Sequence, residues 1–259
     1  MAVSNDGETW VLLNCSPDIR QQIIATPALW PALGSRRSPI SAVLLTNGDI
    51  DHLGGLLTLR ERHAFRLFGT PSVLSVLSSN RIFDAVSPEL VPRAAVTLGE
   101  TLELDTGLRA EIFAVPGKVP LYLEEGEPEI GAETETTVGV KLMGGNGQAF
   151  YYIPGCARLS MSLRERLKGA DLLFFDGTLW RDDEMIQSGV GAKTGRRMGH
   201  ISLSGPEGSL AAFRDLGIRR KIFIHINNTN PILIEGSPER RTAEAADWEV
   251  GYDGMEIEL

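Results

Sequence analysis

Cysteine is nearly missing from this chain: two residues in 259, Cys15 and Cys156. Two thiols so far apart in sequence make no disulfide framework, so packing must hold the fold, and a reducing compartment is expected. Basic charge is also short. Twenty-five Lys and Arg stand against 34 Asp and Glu, a formal net charge of −9. Neither nucleic acid nor an anionic membrane surface is an expected partner for such a chain. No stretch approaches the ~20 apolar residues of a membrane-spanning helix. The opening Met1-Ala2-Val3-Ser4-Asn5-Asp6-Gly7 has neither a basic nor an apolar signal region, so a cytoplasmic location is expected. Histidine is scarce too, with only His52, His63, His200 and His225. What is present is ordinary: 42% hydrophobic and 23% charged residues, enough to bury a large core.

Apolar runs and turn residues divide the chain. Strands are expected at Trp10–Leu13, Ser41–Thr46, Phe65–Phe68, Ala95–Glu103 and Arg109–Val115. Thr136–Met143 and Gln148–Ile153 flank Gly144-Gly145-Asn146-Gly147, a hairpin signal. Asp171–Phe175 and Lys221–Ile226 are apolar strands, and Met255–Leu259 closes as a short one. Helices are expected over Asp18–Ile24, Leu53–His63, Pro71–Ser79, Leu159–Leu167, Leu203–Leu216 and Ser237–Trp248. Ser237 is the expected cap of the last, with Pro238 in first position. Glu124–Glu135 reads as an exposed acidic loop, and Arg181–Met198 as a mobile one. Two sheets covered by helices fit this order.

Asn47-Gly48-Asp49-Ile50-Asp51-His52 lies between a buried strand and a helix. Asp51 and His52 there could present a carboxylate and an imidazole to one cation; equally, Asp51 could cap the helix with His52 in its first turn. His225 tips the balance, because it ends another apolar strand and runs into Asn227 and Asn228. One carboxylate with two imidazoles suits non-haem Fe(II), or catalytic zinc with an open position. His63, in a charged helical stretch, reads as a solvated helix-end residue. Asp176 ends a buried strand, and its plain alternative role is to accept from backbone donors of the Gly177-Thr178 turn. His200 lies in a Gly-His-Ile-Ser turn at an expected helix start. Both cysteines read as core-packing thiols.

Thr46 to His52, followed by Leu53-Gly54-Gly55, resembles the metallo-β-lactamase superfamily signature His-x-His-x-Asp-His. Asn47 and Asp49 stand where that signature has its first two histidines, while Asp51 and His52 keep the last pair. No histidine occurs near Val115-Pro116-Gly117-Lys118, where the superfamily has another. Gly155-Cys156-Ala157 matches its Gly-Asp-Thr turn, and His225 its last histidine. More specifically, the chain resembles the coenzyme PQQ biosynthesis protein B family along essentially its whole length. The carriers are Asn14-Cys15-Ser16-Pro17-Asp18, Leu45-Thr46-Asn47-Gly48-Asp49-Ile50-Asp51-His52 and Val115-Pro116-Gly117-Lys118-Val119. They continue with Phe175-Asp176-Gly177-Thr178-Leu179-Trp180, Met198-Gly199-His200-Ile201-Ser202 and His225-Ile226-Asn227-Asn228-Thr229-Asn230-Pro231.

The resemblance implies one four-layer αββα sandwich domain over residues 1–259, of mixed α/β (α+β) class, shortened at its N-terminus. Family members begin earlier, with a first strand and a cysteine cluster resembling a zinc knuckle, so no structural zinc is expected here. It implies a single-metal site of Asp51, His52 and His225, with Asp49 as a fourth ligand and Fe(II) or Zn(II) as the ion. Asp176 and His200 would line the same cavity, with His200 shuttling protons. The implied activity is hydroxylation of the tyrosine ring of a Glu-Tyr-derived precursor of pyrroloquinoline quinone (PQQ), in concert with other proteins of that pathway. Two alternatives are binding or transport of PQQ or its precursor without catalysis, and zinc-dependent hydrolysis. Loss of the first-metal histidines weighs against hydrolysis by a two-metal centre. Arg60, Lys118, Arg181, Arg196 and Arg197 are the basic residues to test against substrate carboxylates.

Overall fold

The computed structural model describes residues 1–35 and 37–259, and their contacts divide into two compact units. The first comprises Met1–Phe113, Leu142–Gln148 and Glu256–Leu259. Its sheet has the order β1 (Ala2–Val3), β2 (Trp10–Leu13), β3 (Ile40–Leu44), β4 (Arg66–Gly69), β5 (Arg93–Ala95). The β1–β2 pair is antiparallel and the other pairs are parallel. Strand β3 is almost wholly apolar because both neighbours and both faces bury it, as parallel strands require. Leu12, Val43, Leu45 and Leu67 pack with Val73, Val76 and Leu77 of helix α3 (Pro71–Ser79). Fully burying each such side chain stabilises by roughly 1.5–3 kcal/mol. Helix α3 starts where Thr70 Oγ1 accepts from Val73 N, with Pro71 at its first position. Helices α1 (Ile19–Ala25) and α2 (Ile50–Leu53) precede it. Strand β6 (Thr101–Glu103) pairs antiparallel with the start of β7 (Arg109–Gly117).

The second unit comprises Ala114–Lys141 and Ala149–Met255. Strand β8 (Ala132–Met143) and β9 (Ala149–Ile153) flank the predicted hairpin turn, closed by Gly144 N donating to Gln148 O. Strand β10 (Leu172–Asp176) is buried at every position and lies between β9 and β11 (Arg220–Ile224), parallel to both. Strand β12 (Trp248–Val250) pairs parallel with β11. Phe175, Phe213, Phe223 and Trp248 form an aromatic nucleus, with Phe223 and Trp248 stacked at 3.9 Å. Helices α4 (Met161–Leu167) and α8 (Pro238–Ala245) are capped by Ser160 and Ser237. Three single-turn helices, α5 (Glu184–Gln187), α6 (Gly195–Met198) and α7 (Ser209–Ala212), make up the remainder.

Several expectations change. The helix predicted from Leu53 is only α2 followed by a 3-10 turn over Gly54–Leu57. Gly55 sits directly on the Ser16 carbonyl, where a Cβ would collide, so this segment follows a backbone contact and not an amphipathic period. His63 consequently lies beyond any helix. Leu203–Leu216 contains one turn, α7; Pro206 interrupts it, and Ser209 N and Leu210 N bond back to Ser202 O and Leu203 O. The predicted loop 181–198 carries α5 and α6, and Glu184 within it is buried. The expected strand Ala95–Glu103 splits into β5 and β6 around a turn at Gly99. Residues 255–259 form no strand. Among the described residues no helix is long and apolar enough to cross a membrane.

Candidate functional site

In the first unit, β2 and β3 run parallel with Leu13 beside Leu44. Their carboxyl ends therefore deliver Asn14 and Thr46 side by side, where ligands bind in parallel α/β sheets. Asn14 adopts φ 62°, a conformation Asn tolerates better than most residues. Its Oδ1 accepts from Thr46 N at 2.8 Å, which fixes the amide's orientation. Its Nδ2 donates to Thr46 Oγ1 at 2.8 Å and lies 3.1 Å from His52 Nδ1. Thr46 Oγ1 is 3.4 Å from the same nitrogen. His52 is 2% exposed, and its carbonyl accepts from Cys15 N. Its Nε2 faces the exposed Asp51 carboxylate at 3.6 Å. Helix α2 has Asp49 and not Asp51 at its N-cap, and Asp49 makes no side-chain cap bond. Asp51 is thus not engaged as the cap, which removes the structural alternative weighed for it.

In the second unit, β10 and β11 are parallel with Asp176 beside Ile224, so Asp176 and His225 leave adjacent strand ends. Asp176 is fully buried. Its Oδ2 accepts from Cys156 N at 2.9 Å and His200 Nδ1 at 2.7 Å; its Oδ1 accepts from Thr178 N at 3.0 Å and Thr178 Oγ1 at 2.6 Å. Burial pushes this carboxyl up, but the neighbouring imidazoles of His200 and His225 and the bonds from His200 and Thr178 outweigh it and hold the group below the usual range. Asp176 therefore serves its own turn, as the plain alternative had it, and it also holds the His200 ring.

Thr178 is the hinge of the site. Its hydroxyl has one proton, for which the charged Asp176 Oδ1 at 2.6 Å outcompetes the His225 carbonyl at 3.1 Å. Towards His225 Nδ1, 2.8 Å away, it can then only accept. His225 and His200 are both assigned the Nδ1–H tautomer by this network, which places the basic lone pair of each ring on Nε2. The two rings stack 5.3 Å apart at 18°. Asp176, His200 and His225 bring ligand-capable atoms within 4.8 Å of one another. Asp176 is nevertheless no metal ligand in this arrangement, because four hydrogen bonds fill its acceptor sites.

His225 has φ 54°, and its loop is braced accordingly. Asn227 N donates to Thr178 O, and Asn230 Nδ2 to Gly177 O at 2.8 Å. Glu184 accepts from Trp180 N at 2.7 Å and from Thr229 Oγ1 at 2.6 Å. His200 follows the C-cap of α6, Gly199 at φ 88°, and does not begin a helix as predicted. Both cysteines are buried. Burial pushes the Cys15 thiol up to about 12 and the Cys156 thiol further, so both stay neutral packing groups.

Most of the basic residues have partners of their own. Arg60 is half exposed and donates to Leu57 O, on the rim of a 660 Å³ cleft with Arg62 and His63. Arg181 is exposed and Arg196 pairs with Glu207. Lys118 and Arg197 both bind Glu124, a residue predicted to be exposed but 8% accessible at its side chain. Thr46, Asn14, Thr178, Glu184 and Glu124 escaped the sequence reading of the site. The Asp176-Gly177-Thr178 turn offered the one available signal, a hydroxyl two residues after a strand-ending carboxylate.

A family model described as the beta-lactamase superfamily domain matches residues 9–226. The coenzyme PQQ synthesis protein B of Methylobacterium nodulans is 58% identical over 259 residues, all of this chain and 86% of that protein. The chain belongs to the coenzyme PQQ synthesis protein B family. Another family member, from Xanthomonas oryzae pv. oryzae, is 55% identical over the same share. The crystal structure of Zn(2+)-bound PqqB from Methylobacterium extorquens superposes with a TM-score of 0.97 at 56% identity, covering 100% of this chain and 86% of that one. A diphosphatase of the PhnP family gives 0.65 at 21% identity, covering 98% and 80%, and shares the fold alone. The family thus has the metallo-β-lactamase fold expected from the sequence.

Proposed function

We propose that this protein acts in the synthesis of coenzyme PQQ as a metal-dependent hydroxylase of the tyrosine ring in a Glu-Tyr-derived precursor. The observation that carries this reading is the Asp176–Thr178 platform, which engages Nδ1 of two stacked histidines and leaves their Nε2 lone pairs to a ligand or proton. Zinc in a relative with a TM-score of 0.97 supports a metal in this chain as well.

Asp51, His52 and His225 are the proposed ligands, with Asp49 as a fourth, acting as one centre of a single αββα domain. The donor chemistry fits. His225 has its Nδ1 proton committed to Thr178, the outer partner that metal-bound imidazoles require. His52 reaches the same state when its Nδ1–H turns to Thr46 Oγ1, because the Asn14 amide nitrogen cannot accept. With one carboxylate and two imidazoles, a bound Fe(II) would supply activation of O₂, and the site accommodates Zn(II) equally. His200, steadied by Asp176, takes the phenol proton at Nε2 and carries positive charge beside that buried carboxylate. Arg60, Lys118 and Arg181 are proposed to hold substrate carboxylates, and the protein is proposed to work in the cytoplasm with the other proteins of its pathway.

The test is oxygen uptake by anaerobically purified protein loaded with Fe(II) or Zn(II), given a Glu-Tyr precursor mimic. Iron-dependent uptake with a hydroxylated product, lost in His52→Ala, is the expected result. Tight binding of precursor without uptake would replace this reading with that of a carrier.

A further inference from the structure

Glu124 has a setting its neighbours do not share. The residues before it, Leu121, Tyr122 and Leu123, are 43–55% exposed, and after it Glu125, Glu127 and Glu129 are exposed as well. The Glu124 side chain, between these exposed residues, is drawn in to 8% exposure. Arg197 grips it as a fork, Nη1 to Oε1 at 3.0 Å and Nη2 to Oε2 at 2.7 Å, and Lys118 Nζ adds a contact to Oε1 at 3.0 Å. Such two-pronged binding is how guanidinium groups recognise free carboxylates. The fork is tied to the proton-carrying histidine. Arg197 lies on α6, whose C-cap Gly199 precedes His200, and the Lys118 stem packs so closely on Gly199 that a Cβ there would lie 3.1 Å from Lys118 Cγ.

We propose that Lys118 and Arg197 form a carboxylate-binding fork for the substrate, and that Glu124 occupies it as an internal competitor until a substrate carboxylate displaces it. The proposal rests on the reading above of a substrate that carries a glutamyl carboxylate. Exchange of one carboxylate for another keeps the nearly buried Lys118 paired, avoiding the cost of an uncompensated charge. The released Glu124 rejoins an acidic, solvent-facing segment whose charges repel one another. Segment 119–131 then lifts from α6 only when substrate is present.

Binding is read by calorimetry on the metal-free protein with the dipeptide glutamyl-tyrosine as probe. Glu124→Gln, which keeps the shape and removes the competing charge, is expected to bind the dipeptide roughly tenfold more tightly than wild type. Arg197→Met is expected to weaken binding by a similar factor. A folded Glu124→Gln protein that binds no tighter than wild type, or a dipeptide that binds neither, overturns the proposal. Should the variant fail to fold, wild-type protein decides: a glutamate-specific protease should cut at 124–129 faster with saturating dipeptide, and an unchanged rate overturns it. Because neither metal nor O₂ enters these measurements, absence of oxygen uptake would reject the hydroxylase reading without touching this one.

Discussion

At the scale of single residues, Thr178 is the one on which most depends. Its hydroxyl serves Asp176 and His225 together, and an apolar side chain in its place would leave both without that partner. Thr178→Val keeps the shape and removes the hydroxyl. His225 then loses the acceptor that fixes its tautomer, so zinc affinity should fall by about 10–100-fold in a competition titration with a chromophoric chelator. Thermal unfolding should register a further loss of roughly 1–3 kcal/mol from buried groups left unpaired. Thr46→Val tests the same logic at His52, since it removes the acceptor that a metal-bound His52 needs. An unchanged affinity in both variants would reject the tautomer argument. As candidates, Asp51, His52, Asp176 and His225 stood out in the sequence because each is a chemically distinctive side chain at a strand end or a strand-to-helix turn, whereas His200, beyond the C-cap of α6, stood out by residue type alone. Thr178 and Thr46 were not, because threonine is common in turns and strands, and only three-dimensional neighbours distinguish these two.

At the scale of elements, short segments do the positioning that periodicity cannot reveal. Helix α5 has four residues, yet its first, Glu184, ties Trp180 to Thr229 and so braces the left-handed turn at His225. Glu184→Ala leaves the Trp180 amide and the Thr229 hydroxyl without that acceptor. Expected losses are about 2–5 kcal/mol of stability, with faster hydrogen exchange over residues 225–230 while the strands stay protected. Uniform exchange throughout would show that Glu184 acts on the whole unit and not on the loop. The strands were readable because buried parallel strands are continuous apolar runs, as in Leu172–Phe175. Helix length was not readable at 53–63 or 203–216. There an apolar spacing suited to a helix is overridden by Gly55 lying on the Ser16 carbonyl and by Pro206.

At the scale of the whole molecule, the excess of acidic groups shapes the response to pH, and Glu124 is the group that should show it most clearly. Its carboxyl is held at about 2, against an ordinary 4.5, first by its hydrogen bonds from Arg197 and, against the cost of burial, by Lys118 as well. A carboxyl whose folded pKa is depressed binds its proton less readily in the folded than in the unfolded protein. Its contribution to stability is therefore complete above about pH 4.5 and is lost as the pH falls through about 2. Glu249, held low by its paired bonds from Arg220, adds to the same trend. Melting temperatures of wild type and Glu124→Gln should differ at pH 7, with wild type higher, and converge as the pH approaches 2. Salt should narrow the difference only partly, because Glu124 and Lys118 are nearly buried and poorly screened. A difference that stays constant down to pH 2 would mean that the glutamine of the variant is costly through its shape, and that the Glu124 carboxylate itself adds nothing to the fold.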